Sequence, residues 1–189
     1  PGPLPPNEAG RIMILEYHRF GPQEGRWTRT PANLRRDLEE LYRRGYRPVN
    51  MIDVVEGRLD LPRGYSPVVL TFDDGSAGQF RLIEKDGRRE VDPDSAVGVL
   101  LSFHREHPDW PLRATFYVNN VPFEDPATWR EKVRLLRQWG MEVGNHTLTH
   151  ADLSRLDAAA TAREIGGLEL LLAQADPELH TATLALPFG

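Results

Sequence analysis

The segment PVVLTFDDGS, Pro67 to Ser76, starts as an unbroken apolar run and ends in two adjacent carboxylates and a glycine. A short apolar run rich in β-branched residues reads as a strand buried on both faces, as in a parallel sheet. Asp73 and Asp74 then stand at its carboxyl end. Asp-Gly after a strand is also the ordinary mark of a hairpin turn, so the pair acquires meaning only from what the rest of the chain brings to it.

Upstream, RIMILEYH (Arg11 to His18) reads as a first buried strand. Thr30 caps a helix with Pro31 at its first position; Leu34, Leu38, Leu41 and Tyr42 share a face, and Gly45 stops it. YRPVNM makes a second, short strand and PVVLTF the third. Downstream, QFRLIEKDGRREVD (residues 79–92) holds Asp86-Gly87 between two strand-like arms and is expected to form an inserted hairpin on the rim. A helix over 95–107, the strand ATFYVNN, and a helix opened by Asp125-Pro126 follow; Trp129, Val133, Leu136 and Trp139 are spaced on one face of that helix. The strand MEVGNH, a helix over about 158–175 and a final strand in TATLALPFG complete the pattern. Alternating strands and helices with short connections predict an α/β fold with a parallel sheet, doubly wound or closed as a barrel. In either case functional groups gather beyond the carboxyl ends of the strands.

With 189 residues the chain suits one domain, 11–189, behind a proline-rich tether, PGPLPPNEAG, over 1–10. A net charge of −5 without long single-sign blocks argues against a nucleic-acid partner, and no apolar run reaches the roughly 18 residues of a membrane span. A neutral polymer is the easier partner. The absence of cysteine removes disulfides, thiolate nucleophiles and Cys-type zinc sites, so any metal must be held by His and carboxylate.

Three strand ends carry unusual polar groups: Asp73-Asp74, Asn145-His146 with His150, and Pro187-Phe188-Gly189. One carboxylate and two imidazoles form a zinc ligand set that leaves a position open, which means catalysis rather than a structural site. His146 and His150 are four apart, so a helical turn between them would aim both rings at one point. Adjacent side chains at the end of an extended strand point different ways, so one aspartate can ligate a metal while the other reaches a water. A cation would also relieve the repulsion between them. His18, at the end of the first strand, is a candidate substrate or supporting contact. His104 and His107 read as helix-terminus residues, and His180 as surface.

With those residues in place, the chain resembles the polysaccharide deacetylase family, the NodB-homology domain of carbohydrate esterase family 4. TFDDG (Thr71 to Gly75) matches its first motif and NHTLTH (Asn145 to His150) its second, in the right order, over roughly 11–189. The resemblance implies a distorted, incomplete (β/α) barrel, about seven strands in the full domain. It implies that Asp74, His146 and His150 bind a divalent metal, usually Zn2+, with Co2+ or Ni2+ able to substitute, and that Asp73 is the general base. ALPFG aligns with the third motif, making the Phe188 backbone N–H an oxyanion donor, with Pro187, Asn145 and Thr149 as supporting or substrate contacts. The expected substrate is an acetylated amino-sugar polymer (peptidoglycan, chitin-like or poly-N-acetylglucosamine) met outside the cytoplasm. O-acetyl esterase activity on the same site and a silent carbohydrate-binding domain are the alternatives.

Two departures stand out. Ala185 occupies the place of an arginine that in many members orients the base, and the family's later motifs, which carry a tryptophan and a catalytic-acid histidine, would follow Gly189. The expectation is that the last strands lie beyond this segment, because a barrel halted there leaves an unpaired edge.

Overall fold

A computed structural model describes residues 10–189; all but the last residue of the tether lies outside the described residues. The chain runs through β1 (Met13–Tyr17), β2 (Arg19–Phe20), β3 (Thr28–Arg29), α1 (Pro31–Arg43), β4 (Tyr46–Val49), α2 (Met51–Val55) and β5 (Ser66–Phe72). It continues through β6 (Leu82–Lys85), β7 (Arg88–Val91), α3 (Ala96–Glu106), β8 (Thr115–Val118), α4 (Trp129–Gln138), β9 (Glu142–Asn145) and α5 (Ala158–Leu172).

The principal sheet has the order β1-β5-β8-β9, with β4 also on β5, and every pairing in it is parallel. β5 is its axis. β1 pairs with Val68 to Phe72, while β4 takes Ser66 to Val69 and β8 takes Thr71 and Phe72. β4 and β8 therefore share the edge opposite β1, parting near Leu70. Because all strands run one way, their carboxyl ends open on the same side, and the β5 and β9 ends come within reach of each other across β8.

Burial explains the apolar run that defines β5: Val68, Val69, Leu70 and Phe72 are wholly enclosed. Phe72 stacks on Phe116 of β8 at 4.6 Å. Leu34 and Leu38 of α1, Phe103 of α3, Val133 and Leu136 of α4 and Leu168 and Leu172 of α5 join the same core. Local signals hold where expected. The Thr30 side chain accepts the Asn33 N–H and Pro31 opens α1; Ser95 caps α3 and Asp157 caps α5 in the same way. Among the described residues no helix is long and apolar enough to cross a membrane.

Two expectations need correction. The hairpin forms, with Asp86 and Gly87 both at positive φ (51° and 71°), but its arms span only Leu82 to Val91. Gln79 and Phe80 lie fully buried beneath it, because the chain must first cross the core to reach the rim. The expected last strand is reduced to a single parallel bridge, Asn145 to Leu184. Pro187 has no N–H to extend a ladder, and Phe188 turns to φ +67°.

Candidate active site

Asp73 continues the β1–β5 ladder by donating its N–H to the Tyr17 carbonyl (2.8 Å). Asp73 is 8% exposed, and its Oδ1 has no hydrogen-bond partner among the described residues. Asp74 then takes φ +72° and Gly75 φ +59°, two successive left-handed residues that reverse the chain. Asp tolerates that region, and glycine suits the second place for a further reason: a Cβ there would lie 3.3 Å from the Phe123 nitrogen and from Val118 Cγ1. The Gln79 amide donates to the carbonyls of both Asp73 (2.5 Å) and His18 (2.6 Å), tying the ends of β5 and β1 together.

His146 follows β9 with its N–H on the Val118 carbonyl (3.0 Å). The turn to His150 is not helical. Thr147 and His150 stand at φ +62° and +58°, Asn145 Oδ1 takes the Thr147 N–H (2.9 Å), and Asn145 Nδ2 donates to the Ile165 carbonyl of α5 (3.1 Å). Thr149 gives its N–H and hydroxyl to Glu164, both at 2.8 Å. Asn145 and Thr149 thus pin the loop to α5, and Pro187 is buried behind the pocket. A four-residue spacing still brings the rings together, 4.8 Å apart and edge to face, by a loop held open from outside rather than by a helix.

The result is convergence on one atom. Asp74 Oδ1 lies 3.3 Å from His146 Nε2 and 3.2 Å from His150 Nε2. His146 Nδ1 sits 3.0 Å from the Ala185 carbonyl, an acceptor only, so Nδ1 carries a hydrogen and Nε2 is the nitrogen that faces Asp74. Ala185 therefore acts through its main chain, which no choice of side chain at 185 removes. The Phe188 ring leans on His150 at 4.9 Å and is 75% exposed at the pocket wall.

Electrostatics agree with a cation site. The hydrogen bond from His146 holds the Asp74 carboxyl below its ordinary range against the effect of burial. Burial acts to lower His146, but Asp74 and the Ala185 carbonyl hold it above its usual value; burial and then His146 lower His150. One carboxylate oxygen and two imidazole nitrogens, all within 4.8 Å of one another, fit a divalent cation by geometry and by donor type. Asp73 is different: burial, first of all, pushes its carboxyl up to about 6.

A second cluster faces this one. Glu16, His18 and Asp73 offer ligand-type atoms within 4.8 Å, with His18 Nε2 3.2 Å from Glu16 Oε1. Both clusters line one pocket of about 1010 Å³, together with Arg19, Arg26 and Trp27. Glu16, Gln79, Trp27 and the Ala185 carbonyl were not visible as site residues in the sequence. Glu16 alone left a signal, as the alternate residue to His18 on β1.

The family model for polysaccharide deacetylases matches residues 61–189. A chitin deacetylase of Arthroderma benhamiae is 28% identical over 106 residues, which span 56% of this chain and 23% of that protein. Among solved structures, the Streptococcus pyogenes deacetylase PplD in complex with acetate superposes with a TM-score of 0.72 at 20% identity, covering 94% of this chain and 74% of that one. A polysaccharide deacetylase from Bacillus cereus gives 0.67 at 20% identity (94% and 51%), and IcaB from Ammonifex degensii 0.64 at 23% (94% and 74%). At these identities the likeness is one of fold, an α/β architecture with a mostly parallel sheet on a (β/α)-barrel-like course. With that model matching across both TFDDG and NHTLTH, the chain belongs to the polysaccharide deacetylase family, as a NodB-homology domain.

Proposed function

We propose that this domain hydrolyses N-acetyl groups on an amino-sugar polymer, releasing acetate, with a divalent ion, most simply Zn2+, held by Asp74, His146 and His150. The observation that carries the reading is that these three converge on one point while Asp73 Oδ1 lies beside them, buried and without a partner. When bound, the ion supplies Lewis-acid polarisation of the acetyl carbonyl and of the attacking water. Asp73 accepts the water's proton at its unpartnered oxygen. The Phe188 N–H, on the pocket wall, serves the developing oxyanion; one such donor contributes about 3–4 kcal/mol in other enzymes. His18 lies at the end of β1 in the same pocket with Glu16 against its ring, a position from which it can pass a proton to the leaving amine. In this reading acetylated cell-envelope or extracellular polymers are the substrates, and the protein acts outside the cytoplasm.

Acetate release from N-acetylglucosamine oligomers, with the bound metal quantified in the same preparation, tests the reading. Asp73→Asn is expected to lower kcat by about 10²- to 10⁴-fold with metal content retained. Equal turnover by variant and parent, or protein that neither carries nor takes up a divalent ion, overturns it.

A further inference from the structure

The loop between β2 and β3 is built as a rigid platform over the pocket. Arg19 N–H donates to the Trp27 carbonyl (2.9 Å) and Gly25 N–H to the Thr28 carbonyl (2.9 Å), closing the loop on itself. Its one carboxylate, Glu24, is turned away from the pocket, accepting from the Thr30 N–H (2.6 Å) and the Asn33 amide (2.7 Å). Arg29 and the Tyr17 hydroxyl both bond Asp37 of α1 (2.9 and 3.1 Å), anchoring the loop's far side. On this base Trp27 stands 56% exposed, its indole supported by His18 at 4.9 Å and covered by the Arg26 guanidinium at 5.0 Å. Arg19 and Arg26 line the same pocket, and neither forms an ion pair among the described residues. Of the pocket carboxylates, Glu16 is engaged by His18 and Asp74 by the two histidines, and Asp73 is buried at the catalytic end.

An indole 56% exposed beside a sugar-sized pocket offers a stacking face for a pyranose ring once the Arg26 side chain swings from over it. Two unpaired guanidinia next to it are forks matched to a carboxylate. We infer that Arg19, Arg26 and Trp27 form a neighbouring subsite that takes an anionic sugar of the polymer, so that the domain favours glycans in which a carboxylate-bearing residue adjoins the acetylated one. This deepens the deacetylase reading and rests on it. Trp27 holds the ring; Arg19 and Arg26 select the charge. In a chain of net charge −5 the cationic rim gives the preference a local rather than a global origin.

The test separates binding from turnover. Calorimetry on the metal-loaded Asp73→Asn protein compares a peptidoglycan-type oligosaccharide, whose lactyl groups carry carboxylates, with the same oligosaccharide after conversion of those carboxylates to amides. The carboxylated form is expected to bind about five- to tenfold more tightly. That preference shrinks as salt is raised to about 0.5 M. It is erased by R19A/R26A and partly restored by R19K/R26K. Trp27→Ala is expected to weaken both ligands alike. Equal affinity for the two ligands, or a preference that survives R19A/R26A, overturns the charge selection; unchanged affinities in Trp27→Ala overturn the platform. Failure of the deacetylase reading registers separately, as no acetate released by the parent protein from either oligosaccharide.

Discussion

Asp73 holds a carboxylate where burial penalises its charge, and it has no hydrogen bond at Oδ1 to compensate. A carboxyl raised to about 6 in the folded state binds its proton more tightly there than in the unfolded chain, so the ionised form present above that value subtracts from stability. A purely structural aspartate would do the opposite. Asp73→Asn, which keeps the shape and removes the charge, is therefore expected to stabilise the chelated protein at neutral pH by on the order of 1–3 kcal/mol, although it slows acetate release by the metal-loaded protein. Calorimetric melting reads the first effect, and a lowered Tm in the variant would contradict the account of Asp73 as an unpartnered acceptor. The residues around it were unequally legible. Asp74, His146 and His150 have residue types and strand-end positions that announce ligation. Gln79 reads as an ordinary polar residue near a hairpin, and its role as a clamp on two carbonyls arises only once β1 and β5 lie side by side.

At the scale of elements, α4 shows how periodicity both informs and misleads. Trp129, Val133 and Leu136 are buried as their spacing predicts, but Lys132 is buried with them, 2% exposed. Its ammonium lies 2.8 Å from Asp125 and 5.8 Å from the rings of Phe80 and Phe123. Burial lowers the Lys132 pKa against the pull of Asp125; on Asp125 burial is outweighed by bonds from Lys132 and Thr128, which hold its carboxyl well below the usual range. Buried pairs contribute little over an apolar isostere but leave a costly charge when broken. Lys132→Met is thus expected to change stability by less than about 1 kcal/mol, and Asp125→Asn to cost about 3 kcal/mol or more, read by urea unfolding. The Asp125 contribution is present above the ordinary carboxylate pKa and is lost as pH falls through its depressed value, so acid unfolding of K132M should show a shallower pH dependence than that of the parent. The opposite order of the two variants would mean the pair stabilises on its own account. Caps, by contrast, were readable directly, because Thr30, Ser95 and Asp157 act within three residues of themselves. The shape of the His146–His150 turn cannot be read from its spacing, because it is imposed by Glu164 and Ile165, which lie on another element.

At the scale of the molecule, a parallel sheet delivers two ligand-bearing strand ends to one side, and a cation bound there would link them. Zn2+ added to chelated protein at about a hundredfold excess over its Kd is expected to raise stability by about 2.7 kcal/mol, and His146→Ala to remove most of that gain. A Zn2+-independent Tm in the parent would count against the three-residue site. The sequence alone settles that the chain alternates strand and helix, that β5 is buried on both faces, and where the carboxylates and imidazoles stand along it, because burial periodicity, caps and turn chemistry are local. It also carries the same Asp-Gly dipeptide twice, at 74–75 and 86–87, and in both places the two residues take positive φ. One copy makes an exposed hairpin and the other a ligand cluster. That difference, like the turn of the His146 loop, the Ala185 carbonyl on His146 and the arginine-tryptophan rim, belongs to tertiary packing: it depends on which distant atoms the sheet register brings within about 3 Å, the range over which hydrogen bonds and ligation act.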